Sequence, residues 1–522
     1  MMKKLLIIGL ILLFVAPAQA EIRWQKFSFF KNSGGLADGF APTAIENNQA
    51  ADIQNIVLTT SGAFKTRDGF AKLNSSTLGA AVICTGLTFY KQADGTKFLV
   101  GVFDDDKIRK MDYDGGGDPD GTWDDITGSL SFSVGGTDLA SFTVGEDILI
   151  IDDGLNSTAP YKFTGTGNAA DLSGTPPSAT MVAFHKTMAF AAGDTSNPST
   201  LSFSDLGDIE NWTTGLSGSV NVETNDGSII RSIIAGFDAL YIFKDRSIWR
   251  LGGSDKDTFV LQRMISGIGC KSRNGVAKLG NRFIFTDGQG DTYEYDGAVG
   301  LKRISERIRG TIDASNKARY EFVSSIFFQT DYYTSISTTG SSTHDRVLVW
   351  DSFNDAWTKF KGLNANAMAV AEDSAGQDIL IFGDYGGFVY KYPSGTNDAG
   401  TAIADFYVTK QFIFSEQFPF AKELRLLRVF ASQKGNYNLD IETRTDFEST
   451  GDTTNLSLQG ETSVWGTAVF GTDKYGGQNL IIGRVELYKE GDFYQFKFSN
   501  DNADEAWEVK GFEMFLEGHE DI

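Results

Sequence analysis

The sequence predicts an all-β protein, a β-propeller of about seven blades followed by a C-terminal antiparallel β-sandwich. Strand-like apolar runs recur at intervals of roughly 40 to 52 residues, a period typical of propellers. The chain holds 58 Gly but only 9 Pro, as expected of a fold with many tight hairpins. Long helical patterns are scarce, and the best candidate beyond the N-terminus is residues 305–317.

Each repeat has two parts, a short apolar run and a second strand-like run about a dozen residues later. The apolar runs begin near Phe98, Ile148, Met188, Leu240, Phe283, Tyr332 and Ile379. The second runs are IRKMD, YKF, LSFSD, SIWRLGG, DTYEYDG, RVLVWD and FVYKY. We therefore expect one repeat in each blade.

Three repeats end in a further run centred on tryptophan. We expect this run to be a fourth strand that packs its ring between neighbouring blades. The runs are TWDDITG at Trp123, ENWTTG at Trp212 and DAWTKFKG at Trp357. Hairpin turns are predicted at Asp94-Gly95, Asp226-Gly227, Asp287-Gly288 and Asp296-Gly297.

Four segments are predicted along the chain: a leader at 1–20, an N-terminal segment at 21–79, the propeller at 80–408 and the sandwich at 409–522. In the N-terminal segment, the sequence predicts a loop, a helical turn and two strands joined by Ser61-Gly62. The C-terminal segment contains alternating strands such as LRLLRVFA, YNLDIETR, NLIIGRVEL and FYQFKFSN, which favour an antiparallel sandwich.

The leader has the form of a secretory signal. Lys3 and Lys4 precede an apolar stretch, and Ala18-Gln19-Ala20 matches a cleavage site. Export would make the mature chain begin at Glu21. The alternative is an apolar helix that the mature protein keeps and buries in an assembly.

The charge balance limits the kinds of partner that the protein can bind. With 46 basic and 68 acidic residues, the net charge of −22 argues against a surface that grips a phosphate backbone. It is compatible with DNA that passes through an acidic channel, because like charges prevent sticking. Acidity that only keeps a large surface soluble is the other interpretation.

No catalytic, cofactor-binding or metal-binding residue is predicted, and the chain is expected not to be an enzyme. His185, His344 and His519 have no His or Cys partner at metal-ligand spacing. Neither a G-x-S-x-G elbow nor a P-loop is present. Cys84 and Cys270 fall in different predicted blades and are expected to be small buried residues.

One acidic loop could hold a cation. Within Asp112–Asp124, the residues Asp118, Asp120, Gly121 and Asp124 follow a D-x-D-G-x-x-D spacing that can wrap calcium. A glycine-rich hairpin without an ion has the same sequence. Two partial matches to sialidase boxes, Asp120–Trp123 and Ser204–Gly207, are predicted to be blade turns, and a secreted hydrolase on a propeller scaffold is the least favoured hypothesis.

Two stretches resemble structural proteins of tailed-phage tails. The first is the opening 34–73, with Gly34-Gly35-Leu36, Pro42, Asn55, Gly62 and Arg67-Asp68-Gly69-Phe70. The second is 201–305, with LSFSDLGDIENW, the DGSII turn, the GIGC loop and the DGQGDTYEYDG hairpin. These features are similar to the tail-hub or packaged-DNA-stabilisation family of short-tailed phages and to related nozzle proteins. The resemblance implies a propeller subunit that forms a ring below the portal, closes the DNA exit and later conducts DNA.

The favoured hypothesis is therefore a structural virion protein of the tail. Its expected partners are further copies of itself in a ring, a portal adaptor above, and a tail needle or fibres below, with DNA passing without specific contacts and no membrane in the mature form. Tail hubs assemble in the cytoplasm, so the leader favours an alternative. That alternative is an exported bacterial propeller, periplasmic or secreted, that binds glycan or protein.

Overall fold

The computed structural model describes residues 24–79, 81–114, 117–223, 225–236, 238–414, 422–459 and 480–518. The predicted leader and His519 lie outside the described residues. Among those residues, none of the helices has the length and apolar character needed to cross a membrane.

Six short strands precede the repeats. They are β1 Trp24–Phe29, β2 Gly35–Leu36, β3 Gln49–Gln54, β4 Ile56–Leu58, β5 Phe64–Thr66 and β6 Ala71–Lys72. As predicted, β4 and β5 pair across the turn that contains Ser61-Gly62.

Seven four-stranded antiparallel sheets follow, and they are the blades of a β-propeller. Blade 1 is β7 Cys84–Lys91, β8 Lys97–Phe103, β9 Lys107–Asp112 and β10 Asp124–Asp125. Blade 2 is β11 Ser141–Gly145, β12 Ile148–Asp152, β13 Tyr161–Phe163 and β14 Ala170–Asp171. Blade 3 is β15 Met181–His185, β16 Met188–Ala192, β17 Thr200–Phe203 and β18 Gly218–Asn221.

Blades 4 to 6 repeat this order. Blade 4 is β19 Ile230–Ala235, β20 Leu240–Lys244, β21 Ser247–Gly252 and β22 Val260–Ser266. Blade 5 is β23 Val276–Leu279, β24 Arg282–Thr286, β25 Thr292–Tyr295 and β26 Leu301–Arg303. The predicted helical segment follows as a 3-10 turn at Glu306–Ile308, α1 Arg309–Asp313 and a second 3-10 turn at Lys317–Phe322. Blade 6 is β27 Ser325–Phe328, β28 Asp331–Ile336, β29 Arg346–Asp351 and β30 Ala356–Lys361.

The seventh blade closes the ring with a strand from the other end of the propeller. Its first three strands are β31 Ala367–Glu372, β32 Asp378–Gly383 and β33 Val389–Tyr392. Its fourth is β6, which pairs Lys72 with Tyr390 and Ala71 with Lys391. The innermost strands of blades 7 and 1 are also in contact, so the ring is continuous.

The seven sequence repeats coincide with the seven blades. Each apolar run is the second strand of its blade, and each following run is the third strand. Second strands are buried on both faces because they pack against two neighbouring blades, which explains their continuous apolar character.

The three tryptophan rings pack between neighbouring blades as predicted, but not every one of them lies in a fourth strand. Trp357 lies in the fourth strand of blade 6, and Trp123 directly precedes the fourth strand of blade 1. Trp212 lies in the loop before β18, so the prediction of a strand there was wrong. Its ring still packs between blades 2 and 3, against a cluster that includes Ile150 and Val182. The prediction of a hairpin turn at Asp226-Gly227 was also wrong, because these residues connect blades 3 and 4.

Two larger sheets lie beside the propeller, and they combine β1 to β5 with eight strands from the C-terminal part of the chain. These eight are β34 Asp405–Thr409, β35 Phe412–Ile413, β36 Lys422–Ser432, β37 Asn438–Thr445, β38 Asp452–Ser457, β39 Leu480–Glu490, β40 Phe493–Asn500 and β41 Glu508–Gly518. One sheet runs β39-β36-β41-β5-β4, with β1 paired to β41, and the other runs β2-β3-β34-β40-β37-β38, with β35 paired to β40. Strands from the predicted N-terminal segment therefore complete both sheets.

The core of these sheets continues into the propeller. A single buried cluster joins Phe496 and Phe512 of the two sheets to Ile308 and to Trp357 of blade 6. The indole of Trp357 donates to the carbonyl of Ile304 at 2.8 Å, which links blade 6 to the segment after blade 5.

Candidate functional site

The innermost strands surround a narrow axial tunnel. A cavity of about 270 Å³ is lined by residues from all seven of these strands: Leu87, Phe142, Val182, Ile233, Val276, Ser325 and Met368. A space of this size holds side chains and water, and it is far smaller than a DNA duplex.

A loop from one side of the ring crosses this axis. Arg273, just before blade 5, donates through Nη1 to the carbonyls of Gly154 and Leu139 at 2.8 and 3.2 Å. Asn274 donates through Nδ2 to the carbonyl of Ala140 at 3.0 Å. The acceptors belong to blade 2 and the turn before it, on the opposite side of the ring. We call Arg273 and Asn274 the axial bridge.

The axial bridge depends on a glycine. Gly154 has a φ of +83°, and a Cβ atom there would lie 2.5 Å from the Leu139 carbonyl oxygen and 2.8 Å from Arg273 Nη1. A side chain at this position would therefore be strained and would push the guanidinium away.

Above the axial bridge lies a second cavity of about 300 Å³ with a basic wall. Arg231, Lys271 and Arg273 line it, together with Asp138 and Glu321. Asp245 accepts from Arg231 Nε at 2.9 Å and from Lys271 Nζ at 3.3 Å. Burial alone would raise the pKa of Asp245, but the Ile229 amide and these two cations hold it below its usual value.

The acidic loop does not gather its carboxylates around one point in the described residues. Asp118 Oδ1 accepts from the Ser374 amide at 3.1 Å, and Asp120 Oδ1 accepts from the Thr122 amide at 2.9 Å. Asp124 lies 3.7 Å from Lys110 Nζ. Each carboxylate therefore has a protein partner, and no group of three potential metal ligands forms in the described parts of the chain.

His185, His344 and the two cysteines lie in the protein interior. His344 contacts the Ser337 hydroxyl at 3.1 Å and the Phe322 carbonyl at 3.0 Å, and burial lowers its pKa to about 4. Burial likewise lowers the pKa of His185 to about 4. Cys84 and Cys270 are free and buried, as predicted, and burial raises the pKa of the Cys270 thiol to about 12. A thiol with so high a pKa is a poor nucleophile.

The two partial sialidase boxes are turns, as predicted. In Ser204–Gly207, Asp205 Oδ1 accepts from the amides of Leu206 and Leu216 at 2.9 and 2.7 Å, so its carboxylate holds a loop. Asp120–Trp123 is the connection that leads into β10.

The opening motif forms the junction between the propeller and the two large sheets. Arg67 is fully buried, and its guanidinium pairs with Asp398 at 2.8 and 2.5 Å. It also donates to Asn55 Oδ1 at 3.0 Å and to the Lys361 carbonyl at 2.9 Å. One side chain thus joins the N-terminal segment, the end of blade 6 and the segment after blade 7.

The glycines of the motif permit close backbone approach at this junction. Gly35 has a φ of +72°, and a Cβ atom there would lie 2.8 Å from the backbone of Trp357. A Cβ atom at Gly69 would lie 2.0 Å from the Asn397 carbonyl oxygen. Phe70 then packs its ring edge-on against Phe382 of blade 7, with centroids 5.2 Å apart.

Sequence reasoning missed the axial bridge. The GIGCKSRNG loop was recognised only as part of the resemblance to phage tail proteins, and its Lys271 and Arg273 are a visible basic pair. The partners of Arg273 and Asn274, however, are backbone carbonyls more than 100 residues away, and a carbonyl carries no sequence signal.

Comparisons with known proteins give a weak structural likeness. No family model matches the chain, and no curated protein matches it. Two of the solved structures that resemble it are "YCF48 bound to D1 peptide", at 10% identity and a TM-score of 0.39, and "YCF48 from Cyanidioschyzon merolae", at 11% and 0.38. The first match covers 61% of this chain and 96% of that one, and the second covers 62% and 98%.

Proposed function

We propose that this chain is a structural subunit of a phage tail, of the tail-hub or nozzle type. It assembles into a ring, closes the DNA exit channel and later conducts the DNA. The observation that carries this proposal is the position of the opening motif. Gly35, Arg67, Gly69 and Phe70, on which the resemblance rests, are the residues that fix the propeller to the adjoining sheets.

A fixed junction suits a mechanical role. A channel wall under load must not let its two units move against each other, and a shared core with a buried ion pair resists such motion. The propeller axis is crossed by the axial bridge, so DNA would pass between copies of the chain, along their outer surfaces.

The net charge of −22 supports passage without retention. A channel lined by Asp and Glu repels the phosphate backbone and lets the duplex slide. The expected partners are the portal adaptor above the ring and the needle or fibres below it.

We also infer that the two large sheets form a β-sandwich. Phe64 of one sheet stacks on Tyr407 of the other with centroids 4.0 Å apart, and Phe29 lies 4.5 Å from Phe412 across the same interface. Aromatic contacts between facing sheets are the usual packing of a sandwich core. An experimental structure in which these faces do not meet would contradict this inference.

Electron microscopy of the purified chain tests the tail proposal. We expect ring-shaped particles, alone or after addition of a phage portal adaptor, and we expect mass spectrometry to detect the chain in purified virions. A chain that stays monomeric with every tail partner and is absent from virions would refute the proposal.

The signal-like leader supports the second candidate, an exported propeller that binds glycan or protein at the cell surface or in the periplasm. Fractionation of cells that express the full chain separates the two. A periplasmic protein that begins at Glu21 and never joins virus particles would favour export.

A further inference from the structure

Arg273 uses only part of its hydrogen-bonding capacity. Its Nη1 serves the two carbonyls of the axial bridge. In the described part of the chain, no hydrogen bond joins its Nε or Nη2 to another group, and these atoms are not sealed from solvent. The side chain lines the 300 Å³ cavity as well as the axial tunnel, so a molecule in that cavity can reach its remaining donors.

The charge of Arg273 is also incompletely balanced. No carboxylate in the described ranges lies within ion-pair distance of it, and Asp152 and Asp138 act on it from farther away. Burial raises the pKa of Asp152 to about 7, so near neutral pH this carboxyl carries only part of a negative charge. Burial lowers the pKa of Arg273 by more than Asp152 and Asp138 raise it.

The surrounding wall adds positive charge and apolar surface. Arg231 and Lys271 share the single carboxylate of Asp245. Met181, Ile230 and Phe322 line the same cavity and would contact the carbon skeleton of an organic molecule. Asp138 and Glu321 on the lining would disfavour a highly charged anion.

We propose that this cavity binds one oxyanion on the free edge of Arg273, and that the group is a carboxylate carried on an organic skeleton. A planar carboxylate matches the paired donors of a guanidinium, and the apolar wall favours an organic acid over inorganic phosphate. The proposal does not depend on the tail function.

Calorimetric titration of the purified full chain tests this proposal. The probes are N-acetyl-L-glutamate, a short peptide with one glutamate, and inorganic phosphate, each up to about 10 mM. We expect saturable binding of the two carboxylates at one site, with phosphate several-fold weaker. Equal or tighter binding of phosphate would contradict the organic-acid assignment, and no saturable binding of any probe would overturn the proposal.

Variants locate the site. Arg273→Gln should weaken N-acetyl-L-glutamate binding at least tenfold, and Arg273→Lys should weaken it less, because Lys keeps the charge but not the paired donors. Arg282→Gln is the matched control, since Arg282 pairs with Glu294 on another surface. Unchanged binding in Arg273→Gln would refute the assignment.

Two further variants keep the test decisive if Arg273→Gln does not fold. Lys271→Gln leaves the axial bridge intact and should weaken binding a few-fold, whereas unchanged affinity would count against the proposal. Asp152→Asn removes the competing partial charge and should tighten binding a few-fold. Weaker binding in Asp152→Asn would instead mean that Asp152 forms part of the site, contrary to the proposed geometry.

Discussion

Arg67 makes hydrogen bonds to all three segments that meet at the junction between the propeller and the two large sheets. Its guanidinium is removed from water and satisfied by one carboxylate, one amide oxygen and two backbone carbonyls. Burial raises the pKa of Asp398 although Arg67 opposes that shift. Removing one partner of such a pair leaves the other charge buried and alone, which is the costly outcome.

The substitution Arg67→Met should therefore lower the free energy of unfolding by about 3–5 kcal/mol. Urea denaturation followed by tryptophan fluorescence measures the change. The control is Arg282→Met, whose side chain is 47% exposed, and it should cost no more than about 0.5 kcal/mol. An Arg67 variant as stable as its control would show that the pair contributes nothing to the junction.

Asp405 gives the fold a pH dependence of defined sign. It is buried, and its Oδ1 accepts from the Trp507 indole at 2.7 Å and the Asn500 amide at 3.0 Å. Burial raises its pKa from 3.8 to about 7. The folded state therefore holds this proton more tightly than the unfolded state, and its contribution to stability falls as the pH rises from about 4 to 7.

We expect Asp405→Asn to be more stable than the native chain at pH 8, by about 1–3 kcal/mol, and to lose that advantage as the pH falls to about 4. Asn keeps the Oδ1 acceptor and cannot ionise. Urea midpoints at four pH values measure the difference in stability between the two proteins. Both proteins contain the same histidines, so the histidine contribution to the pH dependence cancels in that difference. The exposed substitution Asp171→Asn should not alter the slope, and a native-like slope in Asp405→Asn would contradict the assignment.

At the scale of elements, the strand β6 and its neighbour Phe70 close the ring. Phe70 is buried between blades 6 and 7, against Phe382 and Tyr390. The closure depends on this packing because β6 contributes only two paired residues to its blade.

Phe70→Ala should reduce the free energy of unfolding by about 3–5 kcal/mol, since it leaves a cavity in a dense aromatic cluster. Hydrogen exchange should show faster opening of β33 than of the second strands of blades 2 to 4. The control is Phe353→Ala, because Phe353 is 71% exposed. Uniform loss of protection in all blades would argue against local opening at the closure.

The elements differ in how well sequence predicted them. Second and third strands were found because their burial demands apolar residues in a fixed period. The fourth strands of blades 1 and 2 have two exposed residues each, so burial leaves no pattern in them, and that of blade 1 was found only through the neighbouring Trp123. The strands β1, β3, β5 and β6 escaped assignment to their sheets because each has a partner strand hundreds of residues away. The axial bridge was missed for the same reason.

At the scale of the molecule, the propeller and the two large sheets share a core. Ile308 and Trp357 on the propeller side belong to the same buried cluster as Phe496 and Phe512. The units also share the N-terminal segment, which contributes strands to both.

This sharing predicts one cooperative unfolding transition for the whole chain. Tryptophan fluorescence, far-ultraviolet circular dichroism and hydrogen exchange should give the same urea midpoint within error, because neither unit keeps its core when the other opens. Arg67→Met should move all three midpoints together. Two separated transitions would show that the units are independent domains.

The pairing of β6 with β33 has a consequence for synthesis. On the ribosome, β6 emerges first, and its partner β33 emerges roughly 320 residues later. At typical translation speeds, β6 therefore stays unpaired for about 16–64 s. The strand β1 waits longer still, for β41. Nascent polypeptide with such distant pairings folds slowly and is vulnerable to aggregation, so its yield in a cell should depend on chaperones.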